Sequence, residues 1–165
     1  LIVTVPKPVV GVIDGHVRAG GMGLVAACDI VLAGPSSTFA LTESRLGLAA
    51  SVISLTVLPR IDPRAASRIF LTGEKFDAAE AARIGLVTQA PQDLSAALAE
   101  LTGDLAKCSP QGLRESKSLV THELLVHLDE HRDRVATQSS RLFSSEEARE
   151  GMTAFLERRA PRWSA

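Results

Sequence analysis

The 165-residue chain has no excess of charge of either sign, with 18 Lys and Arg against 19 Asp and Glu and a net charge of −1. Neutralising several phosphates takes a surplus of basic side chains, so this balance argues against a nucleic-acid surface, and no polyanion partner is expected. Cysteine is scarce. Cys28 and Cys108 stand far apart, which excludes the dense disulfide framework of a small secreted domain and points to a reducing, cytoplasmic setting. Long apolar runs are missing as well. The opening LIVTVPKPVVGVIDG is broken by Pro6, Lys7, Pro8 and Asp14, well short of the ~18 apolar residues of a membrane span, and it does not read as a signal peptide. There is no Walker or dinucleotide fingerprint, no internal repeat and no low-complexity tract. The chain also lacks an initiator Met and starts in mid-pattern at Leu1, so the expectation is a fragment of a longer reading frame. What is present is 45% hydrophobic residues, enough to bury a sizeable core within one domain's length.

Residues 8–13 (PVVGVI) form a β-branched run that ends in Asp14-Gly15 and reads as a buried strand followed by a turn. Gly20-Gly21-Met22-Gly23 then leads into a small-residue helix over residues 24–28, and residues 30–33 restart a strand. A turn at 34–37, a short strand over 38–41 and a loop from Thr42 to Gly47 follow. To this point the pattern is α/β. Beyond Ser51 the period is helical. Asp62-Pro63 caps a helix ending at Gly73, Asp77 caps another over 78–84, and residues 86–88 read as a brief strand. Helices are expected over 93–107, 110–122, 124–141 and 145–158, with the long charged stretch interrupted at His122-Glu123.

Several glycines between a strand and a helix expose backbone N–H groups, which can donate to an anion or to a carbonyl oxygen that becomes one. The alternative for Gly20-Gly21-Met22-Gly23 is a tight turn with close helix packing. Glu43 follows a short apolar strand, where burial would raise its pKa toward that of a general acid/base. Alternatively it is a helix-terminal carboxylate paired with Arg45. His16 alone among the histidines lies close to the glycine turn. His122, His127 and His131 fall in a charged stretch that reads as a solvated face, and the i, i+4 pair His127 and His131 has no third ligand, so no metal is expected.

In order and spacing, KPVVGVIDGHVRAGGMGLVAACDIVLAG, FALTESRLGL, RIFLTGEKFDAAEAARIGLV, SPQGLRESKSLV and SSEEAREGMTAFLERRAPRW resemble the crotonase (enoyl-CoA hydratase/isomerase) superfamily across nearly the whole chain. The resemblance implies an α/β, ClpP/crotonase-like spiral of ββα units. Residues 1–90 would be its C-terminal part, and residues 91–165 a helical region that assembles a homotrimer or a dimer of trimers. It implies an acyl-CoA thioester as the bound partner, CoA entering only as part of the substrate and no separate cofactor. By position, the Gly20 N–H is half of an oxyanion hole, its other donor lying upstream of Leu1. Of the carboxylates of the familiar hydratases, the first falls on Gly23, which cannot ionise, and the second on Glu43. A bacterial branch acting on methylglutaconyl-CoA-like substrates shares GGxGLVAACDI, FALTE and LGLAxxVIS. Ala19 and Gly21 flank the donor as substrate-contact candidates. Lys117, Phe155 and Arg158 are candidates for CoA contacts, with surface charge and helix packing as the alternative. Arg18 would meet a carboxylate on the acyl group or pair with an acid in the fold. The activity implied is hydration of a 2-enoyl-CoA in fatty-acid or branched acyl-CoA catabolism; Gly23 leaves double-bond isomerisation open, and a non-catalytic acyl-CoA binder is the third reading.

Overall fold

The computed structural model describes residues 1–164. Strand β1 (Val10–Ile13), strand β2 (His16–Arg18) and helix α1 (Gly20–Ala27) make one ββα turn, and β3 (Ile30–Ala33) and β4 (Thr38–Ala40) begin the next. The turns stack in register. β1 pairs in parallel with β3, Val10 opposite Ile30, while β2 pairs in parallel with β4, Arg18 opposite Ala40. Gln89 adds a parallel bridge to Leu32 on the far side of β3. Parallel pairing in which each strand of one turn lies on its counterpart in the next is the geometry of a spiral.

A 3-10 turn, Glu43–Leu46, follows β4, and then come α2 (Ser51–Val57), α3 (Pro63–Thr72), the two-residue β5 (Phe76–Asp77) and α4 (Ala78–Arg83). The start signals act as capping chemistry predicts. Asp62 accepts from the N–H groups of Arg64 and Ala65, and Asp77 from that of Glu80. The core between the stacked strands and these helices is built from fully buried Met22, Ala33, Phe39, Val57, Ile69 and Ala81, with Phe39 stacked on Phe76 at 5.7 Å between ring centroids.

Three further helices follow: α5 (Leu94–Ala106), α6 (Pro110–Phe143) and α7 (Glu146–Leu156). All the strands therefore lie before residue 91, but packing does not stop there. Val3, Ala27 and Leu124 form a second buried cluster that ties the first residues, α1 and α6 together.

Four expectations are corrected. The break at His122-Glu123 does not occur: nothing from residue 113 to 143 is Gly or Pro, and α6 runs unbroken for 34 residues, about 50 Å at 1.5 Å per residue. Residues 86–88 are bends rather than a strand, because the Leu86 and Val87 N–H groups both turn back to the Ala81 carbonyl. Residues 43–46 are a 3-10 turn rather than an open loop. Helix α1 begins at Gly20, inside the segment read as a glycine turn.

Candidate active site

Because β2 and β4 are parallel and end opposite one another, the chain leaves both at the same end of the sheet. Ala19 and Gly20 emerge from one strand, Leu41, Thr42 and Glu43 from the other. Gly20 and Glu43 are brought to one edge in this way from positions 23 residues apart.

Ala19 is held at φ 47°, ψ −129°, a region a non-glycine residue enters only at a cost of about 1–3 kcal/mol. Its carbonyl accepts from the Met22 N–H at 2.9 Å, closing the first turn of α1. The kink makes Gly20 the first helical residue, and its N–H is one of those without an intrahelical acceptor. Gly20 is exposed, and a Cβ there would meet nothing within 4 Å. Gly21 is different: a Cβ would come within 3.2 Å of Val17 Cγ1, so this glycine serves the packing of α1 on β2.

Gly20 and Gly23 lie on one face of α1 and form part of the wall of a cavity of about 630 Å³ with Leu24, Val52, Ile53 and Thr56. No ionisable side chain lines it among the described residues. At Gly23 a Cβ would stand 3.5 Å from Thr56 Oγ1, ordinary contact, so space for a side chain exists at the position that carries none. The Thr56 hydroxyl donates to the Gly23 carbonyl at 2.9 Å.

Glu43 opens the 3-10 turn and is half-buried, and its Oε2 is buried with no hydrogen-bond partner. Desolvation lifts its carboxyl above the ordinary carboxylate value, opposed by a hydrogen bond from its own backbone. The pairing with Arg45 does not form: Arg45 Nε instead donates to the Thr72 carbonyl at 2.8 Å. Glu43 is not part of the cavity wall; the shared sheet end relates it to Gly20.

Arg18 does not pair with an acid in the fold. Its guanidinium donates to the Val17 carbonyl at 2.8 Å, the Thr38 carbonyl at 2.7 Å and Thr38 Oγ1 at 2.9 Å, with no acid in contact and no place in the cavity wall. Thr38 Oγ1 also contacts His16 Nδ1 at 2.8 Å, which places His16 at the opposite end of β2 from Gly20.

Lys117, expected at the surface, is buried, and all three of its protons are engaged: Asp29 Oδ2 at 2.7 Å, the Ile2 carbonyl at 2.8 Å and the Lys7 carbonyl at 2.9 Å. It ties α6 to the start of β3 and to the first residues, and is not free to meet CoA. Phe155 and Arg158, by contrast, are exposed near the end of α7. His127 and His131 pack edge to face at 4.5 Å, with burial and then the neighbouring ring lowering the His127 pKa, and no group of three metal-ligating side chains occurs among the described residues. Thr56 was not singled out from sequence; it is one of three hydroxyl residues, with Ser51 and Ser54, in the run SVISLTVL, and nothing there sets it apart.

A family model described as enoyl-CoA hydratase/isomerase matches residues 1–165. The (E)-benzylidenesuccinyl-CoA hydratase of Thauera aromatica is 34% identical over 163 residues, 94% of this chain and 62% of its own length. The crotonyl-CoA hydratase of Syntrophomonas wolfei is 30% identical over 162 residues, 96% of this chain and 62% of its own length. A solved enoyl-CoA hydratase structure from Mycobacterium avium is 57% identical and superposes with a TM-score of 0.96, covering 98% of this chain and 64% of that one. The chain thus spans 60% to 65% of the length of such curated relatives.

Proposed function

Because the chain belongs to the enoyl-CoA hydratase/isomerase family, we propose that the protein adds water across the double bond of a 2-enoyl-CoA thioester, with Glu43 as its one proton-transfer carboxylate. The observation that carries this reading is the buried, unpartnered Oε2 of Glu43 at the sheet end from which Gly20 also emerges. With one oxygen buried and unpartnered and no cation paired with it, the carboxyl is shifted by desolvation toward the neutral acid, against the hydrogen bond from its own backbone, which suits it to accept and return a proton.

The steps balance with one carboxylate. Glu43 takes a proton from water as the water oxygen bonds to the β-carbon. The alkene electron pair moves toward the thioester, whose oxygen becomes an enolate held by the Gly20 N–H. Collapse of the enolate draws the same proton from Glu43 onto the α-carbon, giving a 3-hydroxyacyl-CoA and restoring the carboxylate. One N–H aimed at such an oxyanion lowers the barrier by about 2.7–4 kcal/mol. Gly23 is then not a defect: without a second acid, one group does both transfers.

The cavity beside Gly20 suits an apolar, uncharged acyl group. A carboxylate on the acyl chain, as in methylglutaconyl-CoA, would find no ionisable side chain in that wall, and Arg18 is occupied by Thr38 and Val17. Phe155 and Arg158 remain candidates for the nucleotide end of CoA, and assembly of the helical region into trimers belongs to the same proposal. No helix is long and apolar enough to cross a membrane among the described residues.

Incubating the protein with crotonyl-CoA and, separately, 3-methylglutaconyl-CoA in H₂¹⁸O tests both parts. Labelled 3-hydroxybutyryl-CoA, with much slower turnover of the carboxylated substrate, is the expected result. Formation of a 3-enoyl-CoA from crotonyl-CoA with no label taken up would replace hydration by isomerisation. Binding without turnover of either would make the protein an acyl-CoA binder.

A further inference from the structure

We propose that α7 is a positioning element for Glu43, acting through a glycine-on-backbone dock between α7 and the 3-10 turn. The proposal rests on Glu43 being the proton-transfer group. A Cβ on Gly47, which ends the turn at φ 69°, would fall 2.5 Å from the Glu147 carbonyl carbon and 2.9 Å from the Ala148 nitrogen. From the other side, a Cβ on Gly151 would fall 2.7 Å from Leu46 Cα and closer still to the Leu46 carbonyl. The two backbones touch, each through a glycine of its own.

Nothing in α7 itself asks for glycine at position 151, since alanine is the better helix former. The residue is there for the contact. Ala148 and Ala154, one turn to either side, are also buried and small. The opposite flank of the turn is held as well, Ser44 Oγ donating to the Leu71 carbonyl at 3.3 Å and Arg45 Nε to that of Thr72 at 2.8 Å. Glu43 therefore sits on a short turn gripped between the end of α3 and the face of α7. Its own carbonyl accepts the N–H groups of Gly47 and Leu48, the latter at 3.0 Å, so a shift of Gly47 is passed directly to Glu43. Of the charged side chains on these elements, Arg45 is committed to Thr72 and Glu150 of α7 to Arg159 and Arg162, while Glu147, whose backbone meets Gly47, has an exposed side chain.

The test compares Gly151→Ala and the milder Ala148→Gly with the unaltered protein in kcat, KM, the pH profile of kcat/KM and amide exchange at Leu48. Displacing a catalytic group by ~1 Å costs about 10²-fold in rate. Gly151→Ala is expected to lower kcat by that order with KM little changed, to move the carboxylate limb of the profile toward lower pH as water reaches Glu43, and to speed exchange at Leu48. Ala148→Gly is expected to do the same to a smaller degree, and it decides the matter if Gly151→Ala does not fold. Faster exchange at Leu48 with kcat and pH profile unmoved would make the dock merely structural and overturn the proposal. If Glu43→Gln itself keeps full kcat, the fault lies in the assignment of Glu43 rather than in the dock.

Discussion

Replacing Lys117 by Met leaves a carboxylate stranded. Asp29 is about 90% buried, from a side-chain exposure of 10%; its Oδ2 takes the Lys117 ammonium at 2.7 Å and the Val9 N–H at 2.7 Å, while its Oδ1 is buried with no partner at all. The Ile2 and Lys7 carbonyls lose their donor at the same time. Methionine fills nearly the same volume, so cavity formation contributes little and the loss is electrostatic. Removing one partner of a buried pair costs about 3–5 kcal/mol. For a chain of this size that corresponds to a fall in Tm of about 6–20 °C at roughly 2–4 °C per kcal/mol. Urea unfolding followed by circular dichroism measures it, and the double variant Lys117→Met, Asp29→Leu is expected to recover much of the loss, because the orphaned charge is gone. A single variant within about 1 kcal/mol of the unaltered protein, the value of an exposed pair, would refute the reading of Lys117 as a buried tie.

Glu43→Gln is expected to hold or raise Tm near neutral pH. A carboxyl whose folded pKa is raised favours folding below its unfolded pKa, and that contribution is lost as pH rises through the folded value; removing the charge removes the loss, as thermal melts at pH 5 and pH 8 can show. Ala19→Gly should raise stability by about 1 kcal/mol by relieving the positive φ, read from the same melts. Thr56→Val should cost about 0.5–1.5 kcal/mol through the lost bond to the Gly23 carbonyl, seen in urea midpoints. Glu80 and Glu150 are each held down at about 2, the former by Arg83 and Arg68 and the latter by Arg159 and Arg162. Their ion pairs favour folding above the ordinary carboxylate pKa and are lost only as pH falls toward 2, which carboxyl NMR titration would show as unmoved signals at pH 4.

Much of the fold was legible because its signals are local. Asp62-Pro63 and Asp77 name their helices through bonds to the first N–H groups, and the run over residues 8–13 announces β1 by branching alone. The strands that escaped notice are those that exist only by pairing. His16–Arg18 has no apolar run and becomes β2 by lying on β4, and Phe76–Asp77 is β5 only because Phe39 and Thr38 stand opposite. In the same way Lys117 looked superficial because its carboxylate partner is 88 residues distant, and exposed neighbours such as Arg114 and Glu115 hide a buried lysine on a charged helix. The site divides along the same line. Glu43 and Gly20 were visible as residue types at strand ends, and only the parallel register brings them to one edge. The freedom of Glu43 from Arg45, and the close contact of its turn with α7, are tertiary facts that no spacing reports.

The central claim is that one desolvated carboxylate, Glu43, carries both proton transfers. The direct measurement is the rate at which ¹⁸O from water appears in 3-hydroxybutyryl-CoA formed from crotonyl-CoA by the unaltered protein and by Glu43→Gln, with binding of a non-reactive acyl-CoA measured in parallel. A loss of about 10²–10⁴-fold or more in the rate, the range for a general acid/base, with acyl-CoA affinity retained, is the result predicted. Incorporation at an undiminished rate in Glu43→Gln would contradict the account, because no second carboxylate stands at Gly23 to take over.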